Sequence, residues 1–275
     1  MNRVKSFNFF GLKLSSFTED DLVQEIKQSI DSGQKKILYG YSFGILPYFK
    51  FFPEIAIFSN QFDILVADGR GFYLLAKLLR YPIKSDISIP NMVNHSLDLA
   101  NQNSYSVMLL GAKDVINKKA TENIRKKFPG IQVKEGHHGY FKQDGEPEIV
   151  DFINKNKPDI LLIGISSPMK ERFAQKWKDD LDCKIIIPCG GVIDILADFT
   201  KPTPRFIKKI GLAWLYRFVQ EPRRLFKDSI VYLSYVVLGM IPSLIFRTYI
   251  LRKKDFSIPG FFHKGINAPL TGMDN

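Results

Sequence analysis

Six short apolar runs recur through the first two thirds of the chain with helical stretches between them, and that alternation limits the fold more than any single motif. The runs are Lys36–Tyr41, Phe62–Ala67, Tyr105–Gly111, Ile131–Glu135, Asp159–Ile165 and Lys184–Pro188. Most are too continuous for a sheet with one wet face and read as strands buried on both sides. Helical spacing fills the gaps at Gly71–Leu79, Pro90–Asn101, Val115–Phe128, Pro147–Asn156 and Pro168–Leu181. Strands alternating with helices of this length predict a mostly parallel sheet covered on both faces. With 275 residues, 45% hydrophobic and 24% charged, the chain can bury such a core and is not a disordered one.

The expected fold class is therefore α/β, a Rossmann-like domain over residues 1–198. Ahead of the first long run, Phe7–Leu14 reads as a strand pair around Gly11. Thr18 reads as the N-cap of a helix spaced Leu22, Ile26, Ile30 and closed by Gly33. The two cysteines, Cys183 and Cys189, form no disulfide framework or Cys-x-x-Cys pair, so buried thiols and a reducing compartment are expected. Met1–Phe7 lacks the apolar core of about 7–15 residues that a secretory signal carries, so export is not expected.

Composition changes after Phe199. Residues 199–254 hold twelve Lys and Arg against Glu221 and Asp228, which places +10 of the net +11 in this segment. Lys201-Pro202-Thr203-Pro204 reads as a linker into a basic helical segment carrying Ile207, Ile210, Leu212, Trp214, Leu215 and Phe218. Ser229–Phe246 follows, an uncharged run broken by Gly239 and Pro242 and flanked by basic residues on both sides. At 18 residues it sits at the lower bound of a bilayer span. An interfacial or re-entrant segment is the leading expectation, beside a true span and a buried or self-associating helix that would leave room for a homo-oligomer. Charge with this much apolar content points to an anionic membrane surface rather than nucleic acid. Residues 199–275 are thus expected to be a membrane-associating appendage.

A Gly-x-Gly-x-x-Gly turn with an acid about 20 residues on would mark a dinucleotide site, and it is absent. That weighs against a nicotinamide or flavin oxidoreductase, the alternative enzyme reading; a non-catalytic membrane scaffold is the third. The strand ends instead carry single glycines and polar turns: Ala67-Asp68-Gly69, Gly111, Gly136 to Tyr140, Gly164 to Pro168, and Gly190-Gly191 to Asp194. In an open α/β sheet these ends face the ligand, and bare N–H groups there suit a diphosphate, so a nucleotide-containing substrate is expected. Asp68, placed after an apolar strand beside glycine, is the candidate proton acceptor, with N-capping of the helix near Gly71 as the structural alternative. Asp180-Leu181-Asp182 reads as a solvated turn, and adjacent His137 and His138 complete no ligand shell, so no metal and no cofactor are expected.

These blocks carry a resemblance. Ala67-Asp68-Gly69, Leu110-Gly111, Gly136-His137-His138-Gly139-Tyr140-Phe141, Ser167-Pro168-Met169-Lys170-Glu171, Gly190-Gly191-Val192-Ile193-Asp194 and Trp214-Leu215-Tyr216-Arg217 leading to Glu221-Pro222-Arg223-Arg224 resemble the WecG/TagA/CpsF glycosyltransferases, glycosyltransferase family 26, over roughly residues 35–228. The resemblance implies an inverting, metal-independent transferase of the cytoplasmic membrane face. It would move a hexose or an N-acetylhexosamine such as N-acetylmannosamine from a UDP-sugar donor to a polyprenyl-diphosphate-linked sugar in cell-envelope polysaccharide synthesis. It implies Asp68 as general base, with Gly111, Gly136, Tyr140, Gly164, Lys170, Glu171, Gly190, Gly191 and Asp194 around the donor. Arg217, Arg223 and Arg224 would lie at the acceptor diphosphate and membrane edge. The chain departs from the family pattern at Tyr39-Gly40-Tyr41, Ser85-Asp86, Lys170, Pro202-Thr203-Pro204 and Ala213.

Overall fold

The computed structural model describes residues 6–9, 12–42, 58, 60–220, 222, 226 and 232–252. A short antiparallel hairpin of β1 (Ser6–Phe9) and β2 (Leu12–Ser15) precedes α1 (Glu19–Asp31). Thr18 starts this helix as a capping box: its Oγ1 accepts from the Asp21 N–H at 3.0 Å, and Asp21 Oδ2 accepts from the Thr18 N–H at 2.9 Å. Two of the otherwise unpaired helix-end donors are satisfied in this way.

The main sheet has six strands: β3 (Lys36–Tyr41), β4 (Ile64–Ala67), β5 (Ser106–Gly111), β6 (Gln132–Val133), β7 (Ile160–Gly164) and β8 (Ile185–Pro188). Their order is β4-β3-β8-β7-β5-β6, and every neighbouring pair is parallel. Each strand falls inside a run read from the sequence. Side chains alternate strictly between two cores. Tyr39, Leu65, Leu110, Ile163 and Ile186 face one; Leu38, Val66, Leu109, Leu162 and Ile187 face the other. The helices that fill the connections are α2 (Arg70–Leu78), α3 (Ile89–Asn103), α4 (Asp114–Lys127), α5 (Glu146–Asn156), α6 (Met169–Lys176) and α7 (Val192–Leu196). The first core is closed by the hairpin, α2, α5 and α6, and the second by α1, α3, α4 and α7.

One helix is shorter than its spacing predicts. α6 stops at Lys176 rather than Leu181, because the Trp177 indole N–H and the Lys176 ammonium both reach Glu146 Oε2 at 2.8 Å and the chain turns there. The Asp180 and Leu181 N–H groups then close the turn onto the Trp177 carbonyl. Both cysteines are buried, and burial pushes each thiol up to about 12, so they act as small apolar side chains.

Beyond residue 200 the expected single basic segment is two helices, α8 (Arg205–Lys209) and α9 (Ala213–Gln220), separated at Gly211, whose φ is +80°. The apolar run becomes a π-helical stretch, Tyr232–Met240, continued by α10 (Ile241–Tyr249). Val236, Met240 and Leu244 enter the first core, and the Tyr249 hydroxyl donates to the Leu78 carbonyl. Leu238, Phe246 and Ile250 on the same stretch remain exposed. Among the described residues no helix is long and apolar enough to cross a membrane. Residues 229–231 of the run lie outside the described residues.

Candidate functional site

The site forms at the carboxyl ends of the parallel strands, beneath α8 and α9. Asp68 is the first residue past β4. Its N–H extends the ladder to the Tyr41 carbonyl at 2.7 Å, and its Oδ1 accepts from the Ile89 N–H at 3.1 Å. Ile89 opens a 15-residue helix, so the carboxylate stands at the positive end of α3. The N-cap alternative does not hold: Gly69 is the N-cap residue of α2, and no side chain caps that helix. Gly40 on β3 makes the approach feasible, since a Cβ there would lie 2.4 Å from Ile89 Cγ1 and 3.1 Å from Asp68 Cβ.

Burial pushes the Asp68 carboxyl up to about 6. The Ile89 N–H opposes that rise, the Asp86 carboxyl adds to it, and the charges of Arg217 and Lys208 oppose it. Asp68 as a residue is nevertheless not fully enclosed, its exposure being intermediate. Burial likewise raises the Asp86 carboxyl, against Arg70, the Gly69 N–H and Lys208.

Arg217 spans from α9 to the turn after β8. A Cβ on Gly191 would stand 2.9 Å from its Nη2 and 3.5 Å from Asp194 Oδ2. The α8–α9 turn sits over the start of α2, where a Cβ on Gly211 would lie 3.5 Å from the Gly71 nitrogen. Asp68, Arg217, Gly191 and Asp194 therefore share one edge, joined by Asp86 and Lys208. Arg223 and Arg224 lie outside the described residues.

The remaining predicted residues divide. Gly111 and Gly164 pair in register at the ends of β5 and β7, and a Cβ on Gly111 would meet the Gly164 carbonyl at 2.5 Å. Close strand packing alone requires glycine there. Gly136 lies against Asn117, whose Nδ2 donates to the Leu109, Gly111 and His137 carbonyls at 3.2, 2.9 and 3.0 Å. Beside it opens a cleft of about 560 Å³ bordered by Asp114, Lys118, Arg125, His137 and His138. Tyr140 is exposed.

Lys170 and Glu171 are buried under the edge rather than in it. Glu171 Oε1 accepts from the Tyr39 hydroxyl at 2.6 Å and the Ser167 hydroxyl at 2.9 Å, and it pairs with the Lys170 ammonium. Burial, with the Glu171 charge beside it, holds the Tyr39 hydroxyl well above the usual phenol range.

Sequence reasoning missed Asp86 and Arg70 as members of the site. Asp86 was legible only as a departure from the family pattern, and Arg70 only as the residue after the Asp68-Gly69 turn. Lys208 was visible in the charge census without a partner.

Known proteins resemble this chain in sequence. A protein of Bacillus spizizenii named N-acetylglucosaminyldiphosphoundecaprenol N-acetyl-beta-D-mannosaminyltransferase is 28% identical over 172 residues, covering 62% of this chain and 66% of that protein. One of the same name from Staphylococcus aureus is 27% identical over 166 residues, covering 60% of this chain and 65% of the other. The chain spans about two thirds of the length of the curated relatives it matches. The model of the glycosyl transferase WecG/TagA/CpsF family matches residues 7–248, most of the chain, and the protein belongs to that family.

Proposed function

We propose that this protein is an inverting, metal-independent glycosyltransferase that moves an N-acetylhexosamine such as N-acetylmannosamine, or a hexose, from a UDP-sugar to a polyprenyl-diphosphate-linked sugar during assembly of a cell-envelope polysaccharide. Family membership and the relatives' names support the reaction class. The observation that carries it is Asp68. This carboxylate, on a residue not fully enclosed and raised to about 6, is ionised at neutral pH yet basic enough to accept a proton in a transition state.

In this reading Asp68 takes the proton of the acceptor hydroxyl as its oxygen bonds to the anomeric carbon of the donor sugar. The bond from that carbon to the UDP oxygen breaks on the opposite face, and UDP leaves as the anion. Arg217, held over the Gly190–Gly191 turn, meets the negative charge of a diphosphate there. Asp194 beside it is placed to fix the Arg217 fork.

Residues 199–275 are assigned in this proposal as an appendage that completes the site and rests on the anionic cytoplasmic membrane surface. Exposed Phe206, Ile210 and Val219 stand among Arg205, Lys208 and Lys209, a mixture suited to the interfacial zone of a bilayer. The test is UDP release screened across UDP-N-acetylhexosamines and UDP-hexoses with a short-chain polyprenyl-diphosphate-sugar, with and without excess chelator. Turnover that survives chelation is expected. Turnover that requires added Mg²⁺ or Mn²⁺ would overturn the metal-independent step, and no release with any donor would overturn the transferase reading.

A further inference from the structure

The helix that follows Asp68 has a second face that the domain leaves in water. α2 buries Phe72, Leu75 and Ala76 in the first core. Its other side carries Tyr73, Leu74, Lys77 and Leu78, and the two leucines are 44% and 49% exposed. The Arg70 guanidinium and the Lys77 ammonium both stand over the Tyr73 ring, 4.9 and 5.7 Å from its centroid. Exposed leucines among cations whose stems lie along an aromatic ring suit the boundary between water and hydrocarbon.

Contacts at both ends of α2 join this face to the exposed apolar residues beyond position 200. At its start lies the α8–α9 turn, where a Cβ on Gly211 would be 3.5 Å from the Gly71 nitrogen, and Ile210 and Leu212 on either side of that glycine are exposed. At its end the Tyr249 hydroxyl donates to the Leu78 carbonyl, and the Arg80 guanidinium lies 6.0 Å from the centroid of the Tyr249 ring. Ile250 and Leu251, which follow, are exposed as well. Residues 70–81, 205–220 and 232–252 together hold nine Lys and Arg and no Asp or Glu.

That charge decides what covers the face. A second copy paired through the same surface would set cations against cations. A nucleic acid would give the leucines nothing apolar to bury against. An anionic bilayer satisfies both, because its head groups receive the cations and its acyl chains the leucines. We propose that α2, a helix of the α/β domain itself, is a membrane-docking element that lies in the interface of an anionic bilayer between the α8–α9 turn and α10. The inference rests on the membrane reading of the appendage and extends the contact to the catalytic domain. Gly69 is the N-cap of α2, so docking holds the Asp68 turn at the level of the head groups, where a polyprenyl-linked diphosphate presents its sugar.

The experiment uses the full chain. Both native thiols are buried, so Leu78→Cys takes a nitroxide label selectively. Lys126→Cys, exposed on α4 in the opposite layer, is the control. On vesicles of phosphatidylglycerol and phosphatidylcholine, the label at position 78 should become shielded from a water-soluble nickel chelate and more open to oxygen, while the label at position 126 stays in water. Leu74→Ser with Leu78→Ser should weaken partitioning onto these vesicles about tenfold. Lys77→Gln with Arg80→Gln should weaken it about 25-fold, at about fivefold per charge, and should have no effect on pure phosphatidylcholine. Circular dichroism checks that each variant is folded. A label at position 78 that stays in water on vesicle-bound protein, or a leucine pair that partitions like the parent protein, would overturn the proposal and leave the appendage as the sole anchor. A parent protein that binds no vesicle would overturn the membrane reading and this inference together. Shielding at position 78 that grows with protein concentration in the absence of vesicles would assign the face to a second copy and overturn bilayer docking. None of these readouts requires turnover, so they stand apart from the transferase reading.

Discussion

Asp68 lies at the edge where the strands end and Glu171 is buried beneath it, and their surroundings differ in kind. Glu171 is wholly enclosed, and Tyr39, Ser167 and Lys170 all converge on its Oε1. Its partners come from β3 and from the start of α6, elements the domain needs in any case. Asp68 is partly exposed; an Ile89 N–H holds one oxygen, and its opposing cations, Arg217 and Lys208, come from helices added after residue 200. An acid with one oxygen held by three built-in partners and the other, Oε2, buried without one is locked in place, as a structural element is. An acid raised by burial but not fully enclosed keeps a lone pair for a substrate.

The comparison breaks most readily at Asp68→Asn. Asparagine keeps the shape and can still accept from the Ile89 N–H through its amide oxygen, so the fold should stand while proton abstraction is lost. Transferase turnover should fall by about 10²–10⁴-fold. UDP release by this variant within threefold of the parent protein, with unchanged circular dichroism, would remove Asp68 from the role of base.

Glu171→Gln should do the reverse. It leaves the Lys170 ammonium buried without its carboxylate, and breaking a buried pair costs about 3–5 kcal/mol. Urea unfolding should record that loss. Adding Lys170→Met, which removes the orphaned charge, should restore most of it, while kcat per folded molecule changes little in either variant. A raised KM for the UDP-sugar with unchanged stability would instead return Lys170 and Glu171 to the donor site, where the family resemblance put them.

The two clusters also mark how far the sequence could be read. All six strands were legible because buried parallel strands leave continuous apolar runs, and α1 was legible because Thr18 and Asp21 form a local cap. Asp68 was legible from its place after a strand and before glycine. The exact contents of the site were not, because they depend on contacts distant in sequence. Arg217 reaches Gly191 only once α8 and α9 fold back across the sheet edge. Glycine gave a mixed signal for the same reason. Gly111 is required by its approach to Gly164, and Gly164 by Ile193 and the Gly190 carbonyl, needs that look the same in sequence as an open phosphate cradle. In the 229–246 run every fourth residue from Val236 to Leu244 is buried against the domain, as a buried helix requires, while Leu238 and Phe246 are exposed.

The smallest effect is the most specific to Asp68, because it reads the carboxyl itself. Its ordinary value is 3.8 and burial raises it to about 6. The base must be ionised to act, so kcat/KM should fall about tenfold per pH unit below 6 and flatten above it. Stability runs the other way. Between about 4 and 6 the native protein binds this proton and the unfolded chain does not, so stability should decline as pH rises through that window and hold level above it. Asp68→Asn has no proton to exchange; it should lose that slope and be at least as stable as the parent protein at pH 7. Urea midpoints for both proteins at pH 4.5 and pH 7, set beside the pH–rate profile, test the two halves together. An acid limb centred near the ordinary carboxylate value, or a pH slope that persists in the asparagine variant, would show that Asp68 is solvated like a surface acid and that its difference from Glu171 is one of position alone.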